Sequence, residues 1–143
     1  MIIFDTDVLT LIETPGTPEY RRIEARIAQA PPGDEILTSV ITYDEQTRGW
    51  LAYAAKAKTP EEEERAYRRL QKHLENYKQL DLKSFDLAAV HRFRALRQQY
   101  RRLGANDLRI AAICLIEDAL LVSRNLRDFK QIHGLRVEDW TSA

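Results

Sequence analysis

Cysteine is almost absent from this chain: Cys114 stands alone among 143 residues. One thiol cannot form an intrachain disulfide, and its place inside the apolar run Ile110 to Ile116 marks it as a small buried hydrophobe. The composition therefore suits a reducing compartment. Long apolar runs are missing too. None approaches the ~18 residues of a membrane-spanning helix, and Met1-Ile2-Ile3-Phe4-Asp5 has neither the basic start nor the apolar length of a signal peptide. A cytoplasmic protein without membrane contact is expected. Excess charge of either sign is also lacking, because 22 basic residues balance 22 acidic ones. Such a chain is not a general polyanion binder, so any contact with nucleic acid has to be local. His73, His91 and His133 are isolated in the sequence, make no zinc set with a single cysteine, and read as surface or packing residues. Neither a Gly-x-Gly-x-x-Gly turn nor a Walker lysine loop occurs. Glycine is sparse, and Gly16, Gly33, Gly49, Gly104 and Gly134 read as loop or helix-end punctuation.

What is present describes a globular domain. Hydrophobic residues make up 44% of the chain and charged ones 31%, and a chain of this length can bury roughly 68–70% of its unfolded surface. No repeat, low-complexity tract or linker divides it, so one domain over residues 1–143 is expected. Ile2-Ile3-Phe4, Ile36-Leu37 and Leu120-Leu121-Val122 are continuous apolar runs of the kind buried on both faces of a parallel sheet. Leu80 to Leu82 and Leu135 to Val137 are weaker candidates. Between them lie stripes spaced by three and four: Tyr20, Ile23 and Ile27; Tyr67, Leu70, Leu74 and Tyr77; Phe93, Leu96, Tyr100 and Leu103. These read as core faces of helices. Thr59-Pro60-Glu61-Glu62 starts one helix with a cap, a first-turn proline and acids at the positive end of the dipole. The alternation predicts an α/β fold whose parallel sheet is covered on both faces. Arg92, Arg94, Arg97, Arg101 and Arg102 form a basic cluster that reads as a solvated helix face.

In such folds the ligand site lies beyond the carboxyl ends of the strands, where the strand order reverses. Asp5-Thr6-Asp7 follows the first strand, Thr42-Tyr43-Asp44-Glu45 the second, and Ser123-Arg124-Asn125-Leu126-Arg127-Asp128 the fourth, while Asn106-Asp107 opens the helix leading into Leu120. Each also has a structural explanation. Asp5 or Asp7 can cap a short helix near Val8 to Ile12; Thr42 with Glu45 makes a capping box; Asn106 can cap a helix with Asp107 in its first turn, and Asn125 with Asp128 fits a similar cap. The combination is more informative. A carboxylate directly after an apolar strand is costly to desolvate, and several at one sheet edge repel. A hard divalent ion with oxygen ligands, Mg²⁺ or Mn²⁺, removes that repulsion and makes the edge attractive to a phosphodiester. Asp5-x-Asp7 is not an EF-hand, since Thr10 and Gly16 stand where that loop needs Gly and Glu.

At this point the chain resembles the PIN-domain nucleases, and most closely the VapC-type toxins of bacterial and archaeal toxin-antitoxin pairs. Three segments carry the resemblance: Ile3 to Leu9 around the first acid, Thr38 through Glu45 to Gly49 around the second, and Asn106 to Ala112 with Leu121 to Phe129 around the third and fourth. The resemblance implies a three-layer PIN-like fold with a five-stranded parallel sheet flanked by helices. It also implies Mg²⁺ or Mn²⁺ held by the acids, hydrolysis of RNA phosphodiester bonds by a metal-activated water, dimerisation, and a partner antitoxin. By position, Asp5, Glu45 and Asp107 match the acidic ligands. Asp7 stands where many relatives have Asn. At the fourth position Asn125 falls where some members have an Asp, while Asp128 lies one helical turn on; Asp128 is taken as the ligand and Asn125 as a group orienting water or substrate. Arg109, Arg124 and Arg127 are expected to reach phosphates.

Two other readings remain open on the residues alone. Asp5-x-Asp7 also resembles the loop of haloacid-dehalogenase-like phosphatases, with Asp5 as nucleophile. A catalytically inactive PIN-like binding module would keep the fold without the chemistry.

Overall fold

The computed structural model describes all 143 residues as five strands and seven helices. The strands are β1 (Ile2–Phe4), β2 (Ile36–Ser39), β3 (Leu82–Lys83), β4 (Leu120–Val122) and β5 (Arg136–Glu138). Helices α1 (Thr6–Ile12) and α2 (Pro18–Gln29) connect β1 to β2, and α3 (Val40–Ala55) and α4 (Pro60–Tyr77) connect β2 to β3. Helices α5 (Leu87–Gln99) and α6 (Ala105–Glu117) lead to β4, and α7 (Leu126–Phe129) leads to β5. All pairings are parallel, in the order β3-β2-β1-β4-β5. The expected α/β architecture, a five-stranded parallel sheet flanked by helices, is therefore present. Its two edge strands sit slightly further along the chain than the apolar runs suggested. Leu82 pairs with Thr38 and Arg136 with Leu120, so the partner ladder, not hydrophobicity, sets their bounds.

Side chains alternate across the sheet, and this divides the core into two layers. Ile3 and Leu121 join Leu96, Leu108, Ile110 and Phe129 from α5, α6 and α7. Ile2, Phe4 and Val122 face the other way, against Val8 of α1, Ile23 of α2 and Trp140. Cys114 lies in the first layer, as expected of a buried thiol. Burial of these residues at ~25 cal/mol per Å² supplies the main force holding the sheet together.

Helix α4 begins as its sequence implies: Thr59 is the N-cap and accepts from Glu62 N at 3.1 Å, and Pro60 is the first helical residue. Its buried face differs from the expected stripe. Tyr67 and Leu74 are 57% and 52% exposed, whereas Ala66, His73 and Tyr77 are buried. The reason is specific packing on α3. His73 stacks on Tyr43 with centroids 5.7 Å apart and pairs with Thr47 Oγ1 through Nε2 at 2.8 Å, while the Tyr77 hydroxyl donates to Gln46 at 2.6 Å. Polar partners and a small Ala66 rotate the helix away from its most apolar side. Gly49, expected in a loop or at a helix end, lies inside α3.

From β1 the chain proceeds to β2 and β3 on one side of the sheet, then returns to place β4 and β5 on the other. The crossovers diverge between β1 and β4, and the strand-end residues there are Asp5 and Ser123.

Candidate functional site

Asp5 continues the line of β1, its amide donating to Val122 O at 2.9 Å, and it caps α1. Its Oδ1 accepts from Thr6 N at 2.8 Å and its Oδ2 from the Ser123 hydroxyl at 2.7 Å. Capping and site geometry therefore coincide in one residue. Burial pushes the Asp5 carboxyl up to about 7; the Ser123 and Thr6 hydrogen bonds oppose this, and the charges of Asp7 and Asp107 add to it.

Asp7 follows in the first turn of α1. Its Oδ2 accepts from Arg124 N at 3.2 Å and lies 3.7 Å from Arg124 Nε, while its Oδ1 is buried with no partner. Burial raises its pKa as well. Asp107 stands in the first turn of α6, where the N-cap is Gly104 and no side chain caps the helix. Asn106 is not the cap; its Oδ1 accepts from Arg109 Nη1 at 2.7 Å. Burial raises the Asp107 pKa, and the charges of Glu45, Asp128 and Asp7 raise it further. The acids from β1, α3, α6 and α7 thus act on one another electrostatically, as the strand-end argument anticipated.

Glu45 is tied in by threonines. The Thr6 hydroxyl donates to Glu45 Oε1 at 2.8 Å and lies 3.0 Å from Thr42 Oγ1. A hydroxyl has one proton, so the chain runs from Thr42 to Thr6 to Glu45. The capping box expected of Thr42 and Glu45 is not formed, because Ser39 caps α3 and Thr42 is buried inside it. Asn125 makes no side-chain cap for α7 either. Its Nδ2 donates to Asp107 Oδ2 at 3.3 Å and Asp128 Oδ2 at 3.1 Å, so both candidates for the fourth position belong to the same cluster.

The arginines divide. Arg124 lies beside Asp7, and Arg127 is exposed on α7. Arg109 is engaged elsewhere: its guanidinium bonds Asn106 and lies 4.6 Å over the Phe93 ring. Two residues on in a helix, it does not share the face of Asp107. Ser123 was the main omission from the sequence reading. Phe4 pairs with Val122 in the β1–β4 register, so the residues one step beyond, Asp5 and Ser123, are neighbours. Strand pairing, invisible in apolar runs, is the signal that finds it.

The donors are all carboxylate oxygens, the set a hard divalent cation takes. The unpartnered Asp7 Oδ1 and the mutual repulsion of Asp5, Asp7 and Asp107 leave the cluster short of positive charge. The acids do not close on one point: no three His, Cys, Asp or Glu side chains form a ready-made cage. An open set of this kind suits Mg²⁺ or Mn²⁺, which keeps several waters.

Comparison with known proteins agrees with this geometry. The PIN domain family model matches residues 2–135. Ribonuclease VapC1 of Haemophilus influenzae strain R2866 is 32% identical over 122 residues, covering 83% of this chain and 84% of that protein. Ribonuclease VapC2 of Rickettsia felis is 42% identical over a shorter stretch of 45 residues, 32% of this chain and 34% of its own. Among solved structures, VapBC2 from Rickettsia felis bound to a DNA fragment from its promoter superposes with a TM-score of 0.72 at 25% identity, covering 98% of this chain and 99% of that one. VapBC-1 from nontypeable Haemophilus influenzae gives 0.73 at 24% identity over 99% and 100% of the two chains, a likeness of fold. With a match that spans nearly its whole length and a parallel sheet that gathers acids at the β1–β4 divide, the chain belongs to the PIN-domain family.

Proposed function

We propose that this protein is a metal-dependent endoribonuclease, the VapC-type toxin of a toxin-antitoxin pair, with residues 1–143 acting as one catalytic domain. The observation that carries the reading is the buried, proton-hungry Asp5 among Asp7, Glu45 and Asp107 at the β1–β4 divide, in a chain whose relatives are named ribonucleases. Asp5, Asp107 and Asp128 would hold Mg²⁺ or Mn²⁺, joined by Asp7, whose buried oxygen lacks a partner. A cation bound there would neutralise the phosphodiester and make a bound water acidic enough to act as nucleophile.

The protein's own residues do the rest. Ser123 and the Thr6 amide fix Asp5, so that both its oxygens are held as acceptors; the phosphatase reading, with Asp5 as nucleophile, is disfavoured because the family model that matches residues 2–135 is that of PIN domains. Thr6 orients Glu45, which is placed to take a proton as general base. Asn125 holds Asp107 and Asp128 at a fixed separation and can orient water or substrate. Arg124 and Arg127 offer charge to RNA phosphates, whereas Arg109 supports the fold of α6 against Phe93.

The partners proposed are RNA, a cognate antitoxin and a second copy of the chain. Antitoxin binding is supported by the VapBC pairs among the structural neighbours. Self-association is supported by Leu87 and Ile116, 71% and 41% exposed at the ends of α5 and α6. No helix is long and apolar enough to cross a membrane, and a cytoplasmic location is proposed.

The test is cleavage of total RNA with Mg²⁺ or Mn²⁺ by the wild type, Asp5→Asn and Asp107→Asn. Each variant is expected to lose more than about 100-fold, beyond the range for residues that merely support a metal ligand. Cleavage that persists in both variants would overturn the site assignment, and a wild type that binds Mn²⁺ but cleaves nothing would favour a binding module.

A further inference from the structure

Two recesses lie between α1, α3 and α4, further along α1 from the acidic cluster, of about 350 Å³ and 210 Å³, and they share Thr10, Glu13 and Trp50. The region continues directly from the site. Thr6 bonds Glu45, and one turn on Thr10 accepts from Gln46 Nε2 at 3.2 Å. Glu13 lies seven residues beyond Thr6 on the same helical path, ~10 Å along its axis.

Three buried side-chain polar atoms in the structure have no hydrogen-bond partner: Asp7 Oδ1 in the acidic cluster, Glu13 Oε1 and His73 Nδ1. The last two belong to residues lining the smaller recess. Leaving such a buried group unpaired is costly, so an occupant that pairs with them is favoured. Gln46 donates to Thr10 and accepts from Tyr77 at 2.6 Å, and although a hydrogen bond from its amide helps hold the Glu13 pKa down, Glu13 Oε1 itself has no partner. His73 is 4% exposed and fixed through Nε2 by Thr47, so its Nδ1 is a stationary polar atom.

The walls supply flat surfaces and positive charge. The Arg69 guanidinium lies 5.0 Å from the centre of the Trp50 ring. Beside Trp50, Gly49 lines the larger recess, and a Cβ there would meet nothing within 4 Å. Single-stranded RNA is recognised by stacking bases on aromatic rings or guanidinium planes and hydrogen-bonding their edges. Lys72, exposed on α4, provides a further cation for a backbone phosphate.

We infer that this cleft is a base-recognition subsite beside the scissile phosphate, in which Trp50 and Arg69 stack a guanine and Glu13 reads its Watson–Crick edge. The inference rests on the RNA-cleaving reading above and gives it a sequence preference. Burial raises the Glu13 pKa, while the Arg69 charge and a Gln46 hydrogen bond oppose the rise; in its ionised form the carboxylate only accepts hydrogen bonds. Guanine alone presents two adjacent donors on that edge, N1–H and N2–H₂, to match two carboxylate oxygens. Adenine and cytosine present one amino group next to an acceptor, and uracil one N–H between two carbonyls. His73 Nδ1, in the tautomer whose Nε2 accepts from Thr47, donates to the guanine carbonyl side.

The test uses the whole chain and needs no catalysis. Guanosine, adenosine, cytidine and uridine 5′-monophosphates are titrated against the wild type, Glu13→Gln and Trp50→Phe, with binding read by amide chemical shifts of α1, α3 and α4. Guanosine monophosphate is expected to bind at least about 10-fold more tightly than the others, with Glu13→Gln erasing the preference and Trp50→Phe weakening all four. Circular dichroism checks that each variant is folded. Equal binding of the four nucleotides, or a guanine preference that survives Glu13→Gln, would overturn the proposal. So would no nucleotide binding together with capture of an arginine-rich peptide at the same residues, which would make the cleft a protein-docking site. Guanine-selective binding without RNA cleavage would leave the subsite standing and remove the nuclease reading; cleavage without base preference would do the reverse.

Discussion

The Ser123 hydroxyl donates to Asp5 Oδ2 at 2.7 Å across the gap between two strands that the chain reaches 118 residues apart. Ser123 also accepts from Asn125 N at 3.0 Å, and Asn125 in turn holds Asp107 and Asp128. One buried serine therefore links the acid after β1 to the acids of α6 and α7.

Replacing Ser123 with Ala breaks that link at its centre. The Asp5 carboxyl loses the bond that most opposes its burial, so its pKa rises further and a metal ion must displace a proton more often near neutral pH. Ser123→Ala is expected to cost ~1–3 kcal/mol of stability and to weaken Mn²⁺ binding, more at pH 6.5 than at pH 8. Isothermal calorimetry at the two pH values checks this; an unchanged affinity at both would mean that Ser123 does not tune Asp5.

The raised pKa of Asp5 sets the sign of the metal-free pH dependence. The folded state holds this proton up to about 7, whereas an unfolded Asp releases it near ~3.9. Between those values the native state binds more protons than the unfolded state, so stability falls as pH rises, by at most ~1.4 kcal/mol per unit for one group. Asp7 and Asp107, both raised, act in the same direction, while Asp139, lowered by its bonds to Thr141 and Ser142, has the opposite effect only below the ordinary Asp value of ~3.9, outside this window. Thermal unfolding with chelator is expected to give a lower Tm at pH 8 than at pH 5.5. Added Mn²⁺ should recover the loss at pH 8, and Asp5→Asn should flatten both effects.

Much of this was legible in the sequence, and the parts that were not share a cause. Ile2-Ile3-Phe4 and Leu120-Leu121-Val122 are apolar on both faces and announced a buried parallel sheet, and the acids after them pointed to the sheet edge where the acidic cluster forms. Thr59-Pro60 marked the start of α4 because capping is local chemistry. Ser123, the Thr42–Thr6–Glu45 chain and the true buried face of α4 were hidden, because each depends on which distant element lies alongside. Thr42 and Asn106 looked like caps by spacing, yet tertiary partners and the earlier caps Ser39 and Gly104 displaced them. Leu74 looked like core until His73 and Tyr77 found polar partners on α3.

Thr6 gives a sharper test of that hidden chain. Valine keeps its shape but cannot donate, so Thr6→Val frees Glu45 and leaves the buried Thr42 hydroxyl without its acceptor. A cost of ~1–3 kcal/mol is expected for the stranded hydroxyl. In RNA cleavage kcat should fall more than KM changes, because a general base that is no longer oriented affects the reacting state rather than substrate binding. A rise in KM alone would show that Glu45 serves binding and not proton transfer.

Gly49 provides the opposite kind of prediction, a stabilising change. It occupies the middle of α3 with no positive φ, and a Cβ added there meets nothing within 4 Å. A glycine inside a helix is destabilising by roughly 0.5–1 kcal/mol relative to alanine, through the extra freedom it has when unfolded. Gly49→Ala should therefore raise the midpoint of urea unfolding without altering its slope. The methyl group would also narrow the approach to Trp50, so the same variant should bind guanosine monophosphate more weakly while being the more stable protein. Stability gained with nucleotide binding unchanged would show that the glycine is incidental to the cleft. Stability gained with binding lost would mean that the open approach to Trp50 is maintained at the expense of a better helix, as expected where function and stability compete for one position.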